Sequence, residues 1–402
     1  MIITELIYTK ALTVFAILIS YCLIFFIWKS DKKIKIFERP LLFSVVITLI
    51  YVFKFLLFGL TYNVDPDLPQ YYYPMVETLL KGDNPLNYIV YYNGGILWIL
   101  ILTVPSLIYN DVISGAIFIV GIYLVSTMVF YEISKRIDKN SSIAATQIYS
   151  LLPLVWFNVR DSQDDMFVAL IFLLIALLFL LNEDKLYAII GACSFYLKYF
   201  TFPYMLFLSI SINKSQLFFK HLKTAILSFI IISLLLSYAF STNILTISIS
   251  NSLMSVHGLS FFVIFKDIGI NEYILKIVSL LSMTILLTFS VILVKIKKLD
   301  LISSSMLFFI SIYVGMFWLT PWYFTWFISF FILYYSNKIE IMIPSLIAFD
   351  LAMRIWNIAE NDLNHYKPLV YLSIFIVWTI LAKCFVEIIR DKNERLNSDS
   401  SS

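Results

Sequence analysis

An all-α, polytopic membrane bundle is what this sequence predicts, and three observations predict it. Hydrophobic residues make up 61% of the 402 positions while charged residues make up only 14%, against about 25% in an ordinary soluble domain. Mean hydropathy is +0.89. Apolar stretches near the roughly 20 residues a helix needs to cross hydrocarbon recur from end to end, so the whole of 1–402 reads as a single integral membrane domain.

Taken in order, the predicted spans are 11–28, 40–61, 111–133, 143–158, 166–182, 222–240, 273–294, 301–319, 322–335, 341–357 and 368–389, about eleven in all. The first, ending in a lysine cluster with no small-residue cleavage site, reads as a retained helix rather than a signal peptide. Three shorter apolar pieces do not reach across. The piece 96–109 is expected to lie along the outer surface, and 186–198 with 201–212 to form a shallow re-entrant hairpin.

Loop charges orient the bundle. Lys29 to Arg39, Lys135 to Lys139, Lys185, Lys214, Lys220, Lys223, Lys295 to Lys298, Lys338 and the polar tail 390–402 fall on one side. Lys10, Lys81, Arg160, Lys266 and Lys367 fall on the other, about 5 cations against about 19. The positive-inside bias puts the rich side in the cytoplasm, so the chain reads as a multi-pass cell-membrane protein with its amino terminus outside and its carboxy terminus inside. Cys22, Cys193 and Cys384, far apart in apolar stretches, suit small buried hydrophobes better than a disulfide or metal set.

The outer side then collects the chemistry-bearing residues. The long loop 62–95 carries Asp65 and Asp67 beside Tyr71, Tyr72 and Tyr73, followed by a short helix that Gly82 and Pro85 end. A carboxylate there serves either as a general base for a hydroxyl nucleophile or as the cap of a short helix, with the tyrosines as an interfacial belt. Asp164 and Asp165, after Arg160, open the helix 166–182 and are either its N-terminal cap or a second acidic corner of a cavity. Lys198 and Arg354 are cations inside apolar stretches, where each costs a few kcal/mol and is seldom kept without a partner. Lys198 reads as aimed at an anionic headgroup or snorkelling, and Arg354 as a phosphate ligand or the partner of Asp350. His257 belongs to an outer loop, to contact phosphate or sugar or simply be solvated. No histidine pair has metal-site spacing, and no phosphate loop or dinucleotide fingerprint is present, which argues against an ATP-driven pump and for an energy-rich donor drawn from the membrane.

Several of these motifs together resemble the GT-C fold glycosyltransferases that use polyprenyl- or dolichyl-phosphate sugars, mannosyltransferases among them. The resemblance is carried by Asp65-Pro66-Asp67 with Tyr71-Tyr72-Tyr73, Lys81-Gly82-Asp83-Asn84-Pro85, Ser162-Gln163-Asp164-Asp165, Leu197-Lys198-Tyr199-Phe200-Thr201-Phe202-Pro203 and Pro321-Trp322-Tyr323-Phe324-Thr325-Trp326. Where the family continues its first loop with a Tyr-Pro-Pro-like step, this chain has Tyr91-Tyr92-Asn93-Gly94-Gly95. It also has a further helix before that loop. The resemblance implies an inverting transfer of one sugar, mannose or glucose, from the lipid phosphate to a hydroxyl of a glycan, lipid or protein acceptor on the outer face. Asp67 matches the base best, with Asp65 second. Asp164 or Asp165 would support acceptor or base, and Lys198, Arg160 or Arg354, with His257, would hold phosphate. Tyr71, Tyr72, Trp322 and Tyr323 would line the substrate. No cofactor is required if lysine and arginine carry the leaving charge, and a divalent cation at the acidic pair stays open. Nucleic acid is not an expected partner. A transporter or flippase of lipid-linked glycans is the alternative, although no second copy of the first-loop pattern supports the internal repeats common in transporters.

Overall fold

The computed structural model describes residues 19–24, 44–46, 48–53, 68–87, 95–160, 164–211, 215–240, 257–360 and 363–400. It is almost wholly helical. The helices are α1 Tyr73–Leu80, α2 Ile96–Ile108, α3 Val112–Ile137, α4 Ser142–Leu151, α5 Pro153–Arg160, α6 Asp165–Leu180, α7 Asp184–Cys193 and α8 Thr201–Ser211. They continue as α9 Ser215–Ala239, α10 Phe262–Asp267, α11 Glu272–Lys297, α12 Leu301–Gly315, α13 Phe324–Tyr334, α14 Ile339–Glu360 and α15 Leu363–Ser400. Two residue pairs form a parallel bridge, β1 His257–Gly258 with β2 Trp318–Leu319.

Among the described residues four helices, Val112–Ile137, Gln216–Ala239, Glu272–Lys297 and Tyr366–Arg390, are long and apolar enough to cross a membrane. Their ends are chemically marked. Asp111 caps α3 by accepting from the Ile113 N–H at 2.9 Å, and Lys135 and Arg136 complement the dipole in its last turn. Asn271 caps α11 through the Tyr273 N–H at 2.8 Å, and Asp300 caps α12 through the Ser303 N–H at 2.8 Å. One contiguous apolar core joins nearly all the helices. Large apolar residues also line the outside of α9 and α11, Leu234, Leu235, Tyr273 and Ile285 among them, as suits lipid-facing helices.

Three predicted spans are shaped differently from the expectation. The stretch 143–158 is two helices, because Pro153 has no N–H to continue the ladder and Leu152 turns extended, at ψ 123°. The stretch 301–319 stops as helix at Gly315, and Trp318–Leu319 leaves to pair with β1. In that bridge Gly258 has φ +80°, and a Cβ there would run into the Leu319 carbonyl. The span 322–335 begins as the 3-10 turn Pro321–Tyr323 and only then becomes α13. Spans 11–28 and 40–61 fall largely outside the described residues. The remaining helices match their predicted stretches to within a turn or two, except that α9 begins earlier and α15 runs on through Ser400.

Helix lengths differ. The four-residue turn after α3 sends α4 back along it. α3, at 26 residues, is about 39 Å long, whereas α4 and α5, at 10 and 8 residues, return only about 27 Å. On length alone, α4 and α5 return roughly 10 Å less than α3 rises. Short helices α6, α7, α8, α12 and α13 pack against one another, and Asp164 at the start of α6 meets Lys198 just before α8.

Candidate functional site

Lys198 sits at the tip of a hairpin. Helix α7 rises 10 residues and the 3-10 turn Ser194–Tyr196 adds three, about 21 Å together, before the chain reverses into α8. Local hydrogen bonds fix the tip. Lys198 N–H donates to the Ser194 carbonyl at 3.0 Å, Thr201 N–H donates to the Lys198 carbonyl at 3.1 Å, and the Ser194 hydroxyl donates to Thr201 Oγ1 at 2.8 Å. The two pieces do form a hairpin, α7 packed against α8.

The lysine is buried with a counter-charge. Its Nζ lies 3.4 Å from Asp164 Oδ2, with the two side chains 10% and 4% exposed, and sits 5.3 Å above the ring of Tyr323. Asp164 thus occupies the N-cap position of α6 without capping it: its side chain makes no cap hydrogen bond and is spent on the lysine. Lys198 is thus shielded and paired within the protein. Asp165 is fully buried beside it, close enough to Tyr313 and Tyr323 to act on both electrostatically. Tyr313 donates its hydroxyl to the Tyr323 carbonyl at 2.6 Å, which holds the aromatic turn over the ion pair.

The late aromatic motif is the other wall. Tyr323 stacks on Trp326 at 4.7 Å and 24°, Trp326 meets Phe200 two residues beyond the lysine at 6.2 Å, and Trp322 meets Trp356 edge-on at 6.4 Å. Trp356 lies two residues past Arg354, whose Nη2 is 3.4 Å from Asp350 Oδ1 one turn earlier. The intrahelical pairing foreseen for Arg354 is therefore present, and Trp322 and Tyr323 link its surroundings to those of Lys198.

The described parts of the first-loop segment pack against α2, α3 and the lysine turn. Its π-turn Leu68–Tyr72 runs into α1, where Tyr73 donates its hydroxyl to Asn110 Oδ1 at 2.6 Å beside the start of α3. Burial, with Glu77 and Asp111 nearby, pushes the Tyr73 phenol up to about 12, so it stays protonated as this donor. At the other end Asn84 Nδ2 donates to the Phe240 carbonyl at 2.6 Å, past the end of α9. Tyr72 packs inward, edge-on to Trp98 at 6.3 Å, while Tyr71 is exposed. The segment also touches the lysine turn directly, since Gly95 N–H donates to the Leu197 carbonyl at 3.1 Å and a Cβ at Gly95 would collide with the Tyr196 carbonyl. Gly95, where the first loop departs from the family step, is thus the point at which that loop rests on Lys198's turn.

Asp65 and Asp67 lie outside the described residues, as do the side chains of Arg160, which ends α5, and His257, whose backbone forms β1. Among the described residues no three His, Cys, Asp or Glu side chains are grouped as metal ligands. Sequence reasoning did not single out Gly95, Trp98, Tyr313, Thr320 or Trp326. Gly95 stood next to a departure from the expected motif, and Trp326 closed a motif already quoted, so those two had a signal. Tyr313 and Thr320 had none. No known family model matches the chain, and no curated protein sequence matches it.

At the foot of the hairpin, Asp184 accepts from Lys220 Nζ at 2.8 Å and bonds His221 Nε2 at 2.9 Å, which ties α7 to α9. The hydrogen bonds from Lys220 and then from His221 hold its carboxyl below the ordinary range.

Proposed function

We propose that the chain is a membrane-embedded glycosyltransferase of GT-C type, crossing the bilayer about eleven times, that moves one hexose from a polyprenyl- or dolichyl-phosphate to an acceptor hydroxyl on the extracytoplasmic side. The observation that carries the reading is the buried Lys198–Asp164 pair under Tyr323, at the ends of short helices. A buried lysine in lipid surroundings is a functional feature by default.

In this reading a carboxylate of the first loop, Asp67 before Asp65, takes the proton of the acceptor hydroxyl. The acceptor oxygen bonds the sugar C1 as the C1–O bond to the lipid phosphate breaks, with inversion, and the phosphate leaves with the electron pair. Lys198 stabilises the charge that develops on it, with Arg160 and Arg354 as further cations; a pre-placed ammonium in a site shielded from water is worth more than one in bulk solvent. Asp164 holds the lysine in place between turnovers and Asp165 supports acceptor or base. Lysine and arginine meet the electrostatic requirement without a metal, and a divalent ion near the acidic pair would supply the same stabilisation.

Transport of a lipid-linked glycan draws on one observation of its own, the interruption of α4–α5 at Leu152, since broken helices recur in transporters. The two readings separate on bond-breaking. Purified protein in liposomes with polyprenyl-phosphate mannose or glucose and an alcohol acceptor is expected to release polyprenyl phosphate, and Asp67→Asn to slow release at least 100-fold. Undiminished release from both Asp67→Asn and Asp65→Asn would sink the assignment of the base, and movement of intact lipid-linked sugar without release would favour transport.

A further inference from the structure

A buried N–H or O–H left without an acceptor costs about 1–3 kcal/mol, so a folded chain seldom leaves several of them in one place. Here three occur on residues that neighbour the lysine site, and Tyr149 and Ser304 carry others. The indole Nε1 of Trp98, the indole Nε1 of Trp326 and Oγ1 of Thr320 are buried without a hydrogen-bond partner, on residues 0%, 1% and 2% exposed. Trp378 Nε1, by contrast, donates to the Leu259 carbonyl at 3.2 Å.

Each is one residue removed from the Lys198 pair. Trp326 stacks on the Tyr323 ring that Lys198 overlies. Thr320 stands at the N-cap of the Pro321–Tyr323 turn, where its hydroxyl makes no cap bond. Trp98 packs at 5.5 Å on Phe167, whose own N–H donates to the Asp164 carbonyl. Ordered water is a poor occupant beside Trp326, because water needs two to four polar partners and this indole is ringed by Tyr323, Phe172 and Phe200. An indole is a donor only, so what it lacks is an acceptor oxygen. A hexose carries several, and a lipid phosphate seated on Lys198 would deliver them past exposed Tyr199 and the half-buried edges of Trp322 and Tyr323.

We propose that Trp326, Thr320 and Trp98 form the hydroxyl-reading wall of the site and set which sugar it accepts; this rests on the transfer reading above. Neutral donors suit neutral hydroxyl oxygens, while Lys198 takes the phosphate. The two halves of the ligand are thereby separable by substitution.

The test measures binding of polyprenyl-phosphate mannose, polyprenyl-phosphate glucose and bare polyprenyl phosphate to the full chain in nanodiscs, together with thermal unfolding. The parent is expected to bind one sugar-bearing lipid more tightly than the bare one. Thr320→Val, which removes one polar group and keeps the shape, and Trp326→Phe, which removes the indole N–H along with one ring, should each weaken binding of that sugar-bearing lipid roughly 5- to 10-fold and leave the bare lipid unchanged. Lys198→Gln should weaken binding of all three. Parental affinity for every lipid in both Trp326→Phe and Thr320→Val, or an equal loss for bare and sugar-bearing lipid, overturns the wall while leaving the transfer reading intact. A parent chain that binds none of the lipids overturns the transfer reading and the wall with it. Should Trp326→Phe fail to fold, Thr320→Val decides the comparison alone.

Discussion

Helices α9 and α11 differ from the short helices α6, α7, α8, α12 and α13 in almost every respect that matters to function. The long pair present Ile, Leu, Phe and Tyr outward over most of their length and bury little of themselves. Helix α12, by contrast, buries nearly every residue, serines included, and α6 buries Asp165 in its first turn. Length alone does not make the contrast, since α3 matches α11 in length yet has 56% of its apolar stretch buried against 22%; what the short helices add is ends that must stop against other polypeptide. Those ends are where Asp164, Asp165, Lys198 and the Pro321–Tyr323 turn meet.

The largest expected effect attacks the short-helix side. Lys198→Met removes the partner of buried Asp164 and should cost about 3–5 kcal/mol of stability together with more than 100-fold in transfer. Adding Asp164→Leu should return most of the stability and none of the transfer, as read by unfolding in detergent alongside a sugar-transfer assay. Recovery of both would assign the pair to packing alone.

Gly95→Ala comes next. Its Cβ would meet the Tyr196 backbone, which no rotamer change relieves, so the lysine turn and the first loop must separate. A loss of about 2 kcal/mol or more is expected. Gly121→Ala, in the interior of the long helix α3 with nothing within 4 Å of the new methyl, should be neutral or gain about 0.5–1 kcal/mol. Equal behaviour of the two glycine variants in a melting experiment would erase the distinction between lysine site and frame.

Leucines give a third comparison. Leu208→Ala, fully buried in α8, should cost about 2–5 kcal/mol, and Leu235→Ala, on the exposed face of α9, within about 0.5 kcal/mol.

The smallest effect is at the hairpin foot. Because Lys220 and His221 depress the Asp184 carboxyl in the folded chain, its contribution is present above the ordinary aspartate range near 4 and fades as pH falls through the lower folded value. Asp184→Asn should therefore melt below the parent at pH 7, by about 1 kcal/mol, and the gap should close below about pH 4. A gap independent of pH would remove the carboxylate from the tie between α7 and α9.

Much of the frame was legible in the residues. Apolar runs located α3, α9, α11 and most of α15, because spanning length and hydropathy are properties of one segment. Pro153 is visible in the sequence, yet a helix of mixed neighbours absorbs or breaks at a proline according to what packs around it, and here it breaks. The departure of Trp318–Leu319 into a strand was not legible, since its partner His257–Gly258 lies some sixty residues earlier and only a tertiary meeting supplies the hydrogen bonds.

For the site, the residue types were readable and the pairings were not. A buried lysine and an acidic corner each announce a need for a partner, but nothing local says that Lys198 meets Asp164 rather than a headgroup, or that Arg354 stays with Asp350. By itself the sequence determined that this chain belongs in a membrane, which residues carry charge into apolar stretches and which turn follows which helix. Only the tertiary structure decided which of those charges face each other, because a pairing depends on helix length and the level at which each hairpin tip arrives. It also decided that Gly95 must be bare and that Trp98, Thr320 and Trp326 hold donors without acceptors, since packing between distant segments has no counterpart in local sequence.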